Sequence, residues 1–448
     1  MLLATTACAG CAAPEVKLAV APSVLSEEWQ QPVAASAVAG EAPSWAAFGS
    51  PELAELVERA LAQNTDIAIA RARVVQARGQ LGLARAAGVP EVSLAGGTGL
   101  SRDAAAGTSR KIQFDPAIAP DISWEVDLFG GAAAGKRSAR ARLAAAAFDR
   151  DAAALLVESE VARAYFEHAA LTDRIALVDR ALENARELER IILVRVREGV
   201  ATRVDSGLQT VEVSRIAAER SELDEARIHA RNALALLVGE EAPRFTLSGD
   251  GLAGLRAPAF QPLQPAALLV RRPDVRAAEA RIAAAEGDVD QARAAFLPRL
   301  TLSGRSLIDN ISGGPLQLLT SLTGDLLAPI FSGGRLKGRL TTATGVQQEA
   351  VETYRGSLLT ALKEGEDSLA ALQEAERREA LLAATIEDAR TTARLARRQY
   401  VEGAADLQTV LDAERSLLDV EQSHSAAHQG RLAAVVQLFA AMGGWPAA

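Results

Sequence analysis

Cysteine is nearly missing from this chain of 448 residues. Its two cysteines, Cys8 and Cys11, lie within the first eleven residues, so the remaining sequence contains no thiol. This distribution excludes a disulfide framework and a cysteine-based metal site in the folded part of the chain. Only four histidines are present, and His424 and His428 lack the glutamate of an HExxH motif. We therefore expect no metal site, no cofactor and no catalytic Ser-His-Asp group.

Aromatic residues are also scarce, and long apolar runs are missing. Aromatics make up 4% of the chain, whereas all hydrophobic residues together make up 49%. A transmembrane helix needs about eighteen consecutive apolar residues, and the sequence has no such window. The formal net charge of -9 argues against nucleic acid as a partner. The composition fits a large helical protein.

An internal repeat is the most informative feature that is present. Residues 61–96 align without a gap to residues 269–304, and fourteen of the thirty-six positions are identical. Examples are Asp66 with Asp274 and Pro90 with Pro298. One structural unit therefore occurs twice, and we place the two structural repeats at 49–255 and 256–448.

Each copy predicts a helix followed by two strands. An alanine-rich stretch with helical spacing runs to Pro90 or Pro298, and apolar residues alternate with a period of two straight after each proline. The predicted strands cover about 91–102 and 111–129 in the first copy, and about 299–309 and 317–331 in the second. Glycines then end the second strand of each pair.

A long helix follows each pair of strands. No proline occurs from Arg335 to Tyr400, and a helix over this run would extend roughly 100 Å at about 1.5 Å per residue. Apolar and small residues recur there at steps of four and three, as in the seam of a coiled coil. The helix breaks near Gly403, and its counterpart in the first copy breaks near Gly199. Two helical hairpins per chain are therefore expected.

The alternating strands are the segments that could cross a lipid bilayer. In lipid, only helices and closed barrels satisfy every backbone polar group. An open sheet of four strands would leave its edges unpaired, so several chains would have to close one barrel.

The N-terminal residues resemble the cleavage site of a bacterial lipoprotein. Small residues at positions 9 and 10 precede Cys11, which we expect to carry the lipid. Residues 1–11 would then be a residual signal peptide and lipobox, and 12–48 a tether. The apolar run before Cys11 is short and no basic residue precedes it, so we expect the coding sequence to start upstream of Met1. The alternatives are that both cysteines are incidental residues of a disordered tail, or that Cys8 is the modified one.

Several short motifs follow one another in a fixed order from about residue 45 to residue 446. They are the segments at 124–130, 272–275 with 278–279, 296–298 and 329–335, then Tyr400, Gly403, 410–413 and 443–445. Each motif is weak alone, but the ordered set resembles that of the outer-membrane factor family, the TolC-like channels. Within this family the chain is most similar to the branch of NodT-type efflux lipoproteins.

The resemblance implies a fold class, a function and partners. The expected fold is mainly α with a small transmembrane β part, in which three chains form a twelve-stranded barrel that continues as a helical tunnel across the periplasm. The expected function is that of a passive exit channel in the outer membrane. Its partners would be two further copies, the lipid bilayer, a periplasmic adaptor and an inner-membrane pump, typically of the proton-driven RND type. No chemistry is performed by such a conduit, and its pump selects what is exported.

The resemblance also points to site residues at the hairpin tips. The tips at Gly199, Val200 and Ala201 and at Gly403, Ala404 and Ala405 correspond to the tips where adaptors dock, although these glycines also simply permit tight turns.

Beside the second tip, Asp412 and Arg415 match the segment whose aspartate lines the closed aperture, and three Asp412 carboxylates would form a ring. Gln408 departs from the pattern, since an apolar gate residue is common there. Asp205, with Arg203 nearby, occupies the corresponding place in the first hairpin and is a candidate for inter-helix latches. Alternatively, Asp205 and Arg415 are ordinary solvated charges.

Two other functions have to be weighed. Residues 130–136 match the GxxxxGK pattern of a phosphate-binding loop, but Arg137 stands where a serine or threonine is required, and the equivalent corner at 331–334 lacks the motif. A soluble coiled-coil scaffold would explain the long helices but not the duplicated pairs of strands.

Overall fold

Long helices and one antiparallel sheet make up the part of the protein that the structure describes. The computed structural model describes residues 28–30, 44–102, 112–258, 263–309 and 317–445. The first repeat contains α1 (Pro51–Gln63), α2 (Thr65–Ala86), β1 (Glu91–Arg102), β2 (Ile112–Val126), α3 (Gly131–Arg197) and α4 (Arg203–Leu237). The second contains α5 (Pro265–Arg271), α6 (Pro273–Ala294), β3 (Arg299–Asp309), β4 (Gln317–Leu327), α7 (Arg335–Val401) and α8 (Leu407–Ala441).

The two repeats match element by element. Helices α2 and α6 each have 22 residues, α3 and α7 each have 67, and α4 and α8 each have 35. The duplicated order of helix, two strands and helical hairpin is therefore confirmed. Among the described helices, none contains an apolar stretch of the length that a lipid bilayer requires.

The second strand of each pair ends a few residues before its predicted limit. Strand β2 ends at Val126, because Asp127 turns back and its carboxylate accepts hydrogen bonds from the first amides of α3, those of Ala132 (3.1 Å) and Ala133 (2.8 Å). Strand β4 ends at Leu327, two residues before Pro329, which has no amide hydrogen to donate to a ladder.

Two compact units are present, and each takes segments from both repeats. The strand unit comprises the described residues of Arg71–Asp149 and Asp274–Ser357. The helical unit comprises those of Val24–Ala70, Arg150–Pro273 and Leu358–Ala448. The repeats at 49–255 and 256–448 are therefore not separate compact bodies, since their helices bury apolar seams against each other.

An aromatic cluster forms part of the core of the helical unit. Trp45, Phe48 and Phe439 are buried, and the Trp45 ring lies 4.8 Å from that of Phe439 and 5.5 Å from that of Trp445. Arg272, which is also buried, donates to the carbonyl of Ala441 and pairs with Glu364 at 2.6 Å. The motifs at 272–275 and 443–445 therefore have a structural role, because their contacts hold the ends of the two repeats together.

Candidate functional site

Polar and apolar rows alternate across the four-stranded sheet. The strands are ordered β1-β2-β3-β4, and all neighbours are antiparallel. One row joins Val92, Ile122, Gly304 and Leu322, which lie directly opposite one another. The rows on either side of it are polar: Ser93, Asp121, Arg305 and Ser321, and Glu91, Ser123, Ser303 and Thr323. The sheet therefore has one apolar face and one polar face.

The apolar face is exposed in the single chain. Leu94 is 72% exposed, and on β4 Leu318, Leu322 and Leu326 are 67%, 81% and 68% exposed. An apolar patch of this kind marks a surface that is covered by lipid or by another protein. On the opposite face, Arg305 and Asp121 form an ion pair at 3.5 Å, which requires access to water or a polar lumen.

The two hairpin tips have the same construction. Gly199 and Gly403 adopt positive φ values of 75° and 77°, and each follows the last turn of a 67-residue helix. A side chain then caps the next helix: Thr202 and Asp205 form a capping box for α4, and Asp406 accepts from the amide of Thr409 for α8. The breaks predicted at Gly199 and Gly403 are therefore sharp turns between two rigid helices.

The tips of the two hairpins contact each other just above these turns. Arg195 donates to the carbonyl of Tyr400 at 2.9 Å, and its guanidinium lies 4.8 Å from the centre of the Tyr400 ring. A small buried cluster of Leu188, Ile192, Leu407, Val410 and Leu411 packs around this contact. The ends of α3 and α7 are therefore joined side by side.

A buried carboxylate links the second helices of the two hairpins. Glu212 on α4 receives two hydrogen bonds from Arg415 on α8, at 2.6 and 3.0 Å, and two from Arg215 on its own helix, at 2.8 and 3.2 Å. The Glu212 side chain is only 5% exposed. We call this contact between Glu212 and Arg415 the latch.

A second contact between the same helices lies one heptad further along. Gln422 on α8 donates to Glu219 on α4 at 2.7 Å, and Arg174 on α3 donates to Gln422 at 3.0 Å. Positions 212 and 219 on α4 thus pair with positions 415 and 422 on α8, as neighbouring heptads of a coiled coil require.

The predicted aperture residues are placed as follows. Gln408 donates to Asp412 at 2.9 Å, and Asp412 lies 3.9 Å from Arg415, so all three form one chain of polar contacts on α8. Arg203 is exposed at the start of α4. Asp205 accepts from the amide and hydroxyl of Thr202, so its described hydrogen bonds cap its own helix. Arg415 bonds Glu212 on α4 and also lies within ion-pair distance of Asp412 on its own helix.

The contacts at two other candidate motifs have structural roles. At the GxxxxGK segment, the amides that a phosphate would need are occupied by the Asp127 carboxylate, so this corner is a capped helix start. His428 bonds Glu379 on α7 at 2.7 Å, and Arg431 contacts the same carboxylate at 3.3 Å. His428 therefore joins α8 to α7.

A family model described as outer membrane efflux protein matches residues 56–240 and 265–444. The chain belongs to this family. It is 34% identical over 436 residues to the pyoverdine export outer membrane protein OpmQ of Pseudomonas putida, covering 94% of this chain and 92% of that protein. It is 28% identical over 426 residues to nodulation protein T of Rhizobium leguminosarum bv. trifolii, covering 90% and 88%.

Solved structures of outer-membrane channels have the same fold. The open state of the Neisseria gonorrhoeae MtrE outer membrane channel matches with a TM-score of 0.83 and 26% identity, covering 94% of this chain and 96% of that one. This efflux protein is thus an outer-membrane channel component of a tripartite efflux system, with the TolC-like fold of trimeric channels. The scaffold alternative fails, because it leaves the two-faced sheet without a role.

Glu212, Glu219 and Gln422 were not predicted from the sequence as residues that join the two hairpins. A signal for them exists, because 212 and 219 on one helix and 415 and 422 on another share the spacing of seven residues. That spacing does not say which helix of one hairpin faces which helix of the other, so the pairs could not be assigned.

The latch should be insensitive to pH over the physiological range. Burial alone would raise the pKa of Glu212, but hydrogen bonds from Arg215 and Arg415 outweigh burial and lower it from 4.5 to about 2. Because the folded-state pKa is lowered, the stabilisation is fully present above pH 4.5 and is lost as pH falls toward 2. We expect Glu212→Gln to lower the melting temperature by a constant amount above about pH 5, and by less in acid.

Glu414 supplies the matched control for this pH series. Burial raises the pKa of Glu414, partly opposed by Arg397, so its ionised form is disfavoured in the folded protein. Glu414→Gln should therefore raise the melting temperature at neutral pH, and this gain should vanish in acid. Thermal melts of the detergent-solubilised protein between about pH 3 and 8 measure both trends. A Glu212→Gln effect that grows as pH falls would contradict the assignment.

Proposed function

We propose that this protein acts as a homotrimer that receives small molecules from an inner-membrane pump through a periplasmic adaptor and releases them outside the cell. The observation that carries the proposal is the sheet, which has one exposed apolar face and two edges, β1 and β4. Pairing β4 of one copy with β1 of the next would leave no edge in the bilayer, and three copies would give twelve strands. The barrel is a conduit without catalytic residues or cofactor.

The mass of the purified particle tests the trimer. The protein is extracted in mild detergent from outer-membrane fractions, and light scattering gives the mass of protein in the particle. Three chains per particle support the shared barrel. A monomer recovered in the soluble fraction would refute it.

We further propose that the lower end of the channel closes at α8. Three copies of Asp412 would form an acidic ring that holds cations. On each α8, Gln408 lies one helical turn before Asp412, and Arg415 lies three residues after it. Because Gln408 is polar, this aperture closes through hydrogen bonds and charges as well as through apolar contact. The latch between Glu212 and Arg415 would hold α8 in the closed position.

The hairpin tips are the proposed docking surface for the adaptor. Val204, Leu208 and Val211 follow one another on α4 at steps of four and three, and Val200 lies in the turn just before this helix; each of the four is at least 43% exposed. Such a stripe suits the apolar seam of another helical hairpin. Gly199, Ala201 and the second tip at Gly403, Ala404 and Ala405 add small residues that permit close approach.

A charge at the tip, beside this stripe, should uncouple the channel from its partners. We expect Val200→Asp to leave the trimer mass and membrane location unchanged but to abolish most efflux of a fluorescent dye from cells in which the variant replaces the wild-type protein. A carboxylate buried in an apolar seam without a partner loses its hydration, which weakens docking. Val75→Asp on α2, a valine of similar exposure, is the control. Normal efflux by an intact Val200→Asp trimer would contradict docking at the tip.

The proposed membrane anchor is a lipid on Cys11. A thioether-linked lipid at this residue would add to the attachment that the barrel provides. The mass of the N-terminal peptide tests the modification directly, and an unmodified Cys11 would refute it.

A further inference from the structure

Within the helical unit, three residues of the N-terminal segment lie against α7 and the loop before α5. The indole Nε1 of Trp29 donates to the carbonyl of Leu263 at 2.7 Å, just before α5. The amide of Gln30 donates to the Glu366 carboxylate on α7 at 2.8 Å. These partners are 234 and 336 residues away in sequence, so the segment is held by two distant parts of the chain.

The Trp29 ring covers a notch in α7 at Gly365. A Cβ built on Gly365 would meet the ring of Trp29 well inside contact distance, at 2.7 Å from Cζ3. Any larger residue at position 365 would therefore displace the indole. Helix α7 contains three other glycines, Gly338, Gly345 and Gly356, and a Cβ on each of these would meet open space.

This difference gives the glycine at position 365 a specific role. A glycine inside a helix is destabilising relative to alanine, because it loses more conformational entropy on folding. At Gly365 the cost is offset by close approach of an aromatic ring, and the adjacent residues Glu364 and Glu366 hold Arg272 and Gln30. Tryptophan suits such a notch because it offers a large apolar surface and one donor with little side-chain entropy to lose.

We infer that the Gly365 notch is a docking site for the chain's own N-terminal segment, with Trp29 as its anchor. The occupant is residues 28–30 of the same protomer. The dock ties the start of the chain to α7 and to the loop before α5 at one fixed point.

The dock has a consequence for membrane attachment that rests on the proposed acylation of Cys11. Eighteen residues lead from Cys11 to Trp29, and an extended chain covers at most about 3.3–3.6 Å per residue. The tether therefore reaches about 60–65 Å at most. The Gly365 notch must lie within that distance of the membrane leaflet, so the anchored tether limits how far this part of α7 lies from the membrane.

Photo-crosslinking in the full-length channel tests the dock. Trp29→p-benzoylphenylalanine keeps a bulky aromatic group at the position, and the detergent-purified protein is irradiated and digested. We expect crosslinks to peptides that contain position 365 or 263 of the same chain, so that the band on a denaturing gel keeps the monomer mass. Adding Gly365→Ala should lower the yield several-fold, whereas Gly356→Ala, on the same helix but in open space, should not change it.

Three results would overturn the inference. Crosslinked bands of dimer or trimer mass would mean that the notch receives the segment of a neighbouring copy. Equal yields in the Gly365→Ala and Gly356→Ala backgrounds would mean that the notch does not bind the ring. Crosslinks spread over other peptides would mean that Trp29 has no fixed site. Particle mass and the mass of the N-terminal peptide are measured on the same sample, so failure of the trimer or of the acylation is recognised separately.

Discussion

Replacing Leu322 by lysine should remove the protein from the outer membrane. Leu322 lies at the middle of β4, is 81% exposed, and belongs to the apolar row with Val92, Ile122 and Gly304. A lysine on the lipid face of a barrel costs about 2–4 kcal/mol at the bilayer midplane. Since three chains share one barrel in the proposed trimer, the cost is incurred three times, which approaches the whole stability of a typical domain of about 5–15 kcal/mol.

The adjacent residue on the same strand is the control for this substitution. Thr323 belongs to a polar row, opposite Ser303, so Thr323→Lys places the same charge on the opposite face of the sheet. We expect trimers of Thr323→Lys in outer-membrane fractions at close to the wild-type amount, and Leu322→Lys to be degraded or recovered elsewhere. Fractionation followed by light scattering measures both. Equal recovery of the two variants would mean that the apolar row does not face lipid.

The second large effect is expected at the latch. Arg415→Ala removes the two hydrogen bonds that join α8 to Glu212 on α4, so that among the described residues Glu212 keeps its bonds to Arg215 on its own helix. Hydrogen bonds to charged groups contribute about 1.5–3 kcal/mol. We expect α8 to leave its closed position more often, and single-channel conductance in planar bilayers to rise. Cells that carry the variant should also become sensitive to large hydrophilic antibiotics.

Two comparisons separate a latch from a general loss of charge near the tip. Arg398→Ala removes an exposed guanidinium whose ion pair joins the last turn of α7 to Glu402, the residue that follows the helix, so its conductance should remain that of the wild type. The double variant of Arg415→Ala and Glu212→Gln should conduct little more than either single variant, because each removes the same contact. Unchanged currents in Arg415→Ala would end the latch proposal.

Asp205→Ala should loosen the start of α4 without opening the channel as far, because Asp205 caps that helix.

The strands and the breaks between helices could be predicted because their causes are local. Pro90 and Pro298 end helices, alternation marks the two faces of each strand, and glycines at 199 and 403 supply the positive φ of sharp turns. The ends of β2 and β4 were placed too late: β2 ends where Asp127 caps the start of α3, and β4 ends before Pro329, which has no amide hydrogen to donate to a ladder.

The latch could not be predicted without knowing which helices face each other. Both Asp205 and Glu212 are acidic residues of α4, and the sequence offers either one as a partner for Arg415. Only the packed hairpins show that Glu212 points into the α4–α8 contact while Asp205 is used by Thr202. The Trp29 dock is a further example, because residues more than 300 apart form it.

The sequence by itself determined the duplication, the order of helices and strands, the family and hence the membrane in which the protein works. These properties depend on periodicity, on proline and glycine, and on motifs, all of which can be read along the chain. The tertiary structure alone decided which charged side chains form ion pairs, which glycine contacts the Trp29 ring, and how the two compact units divide the two repeats. Side chains distant in sequence meet only once the helices pack, and their rotation about their axes then decides which residues are buried together.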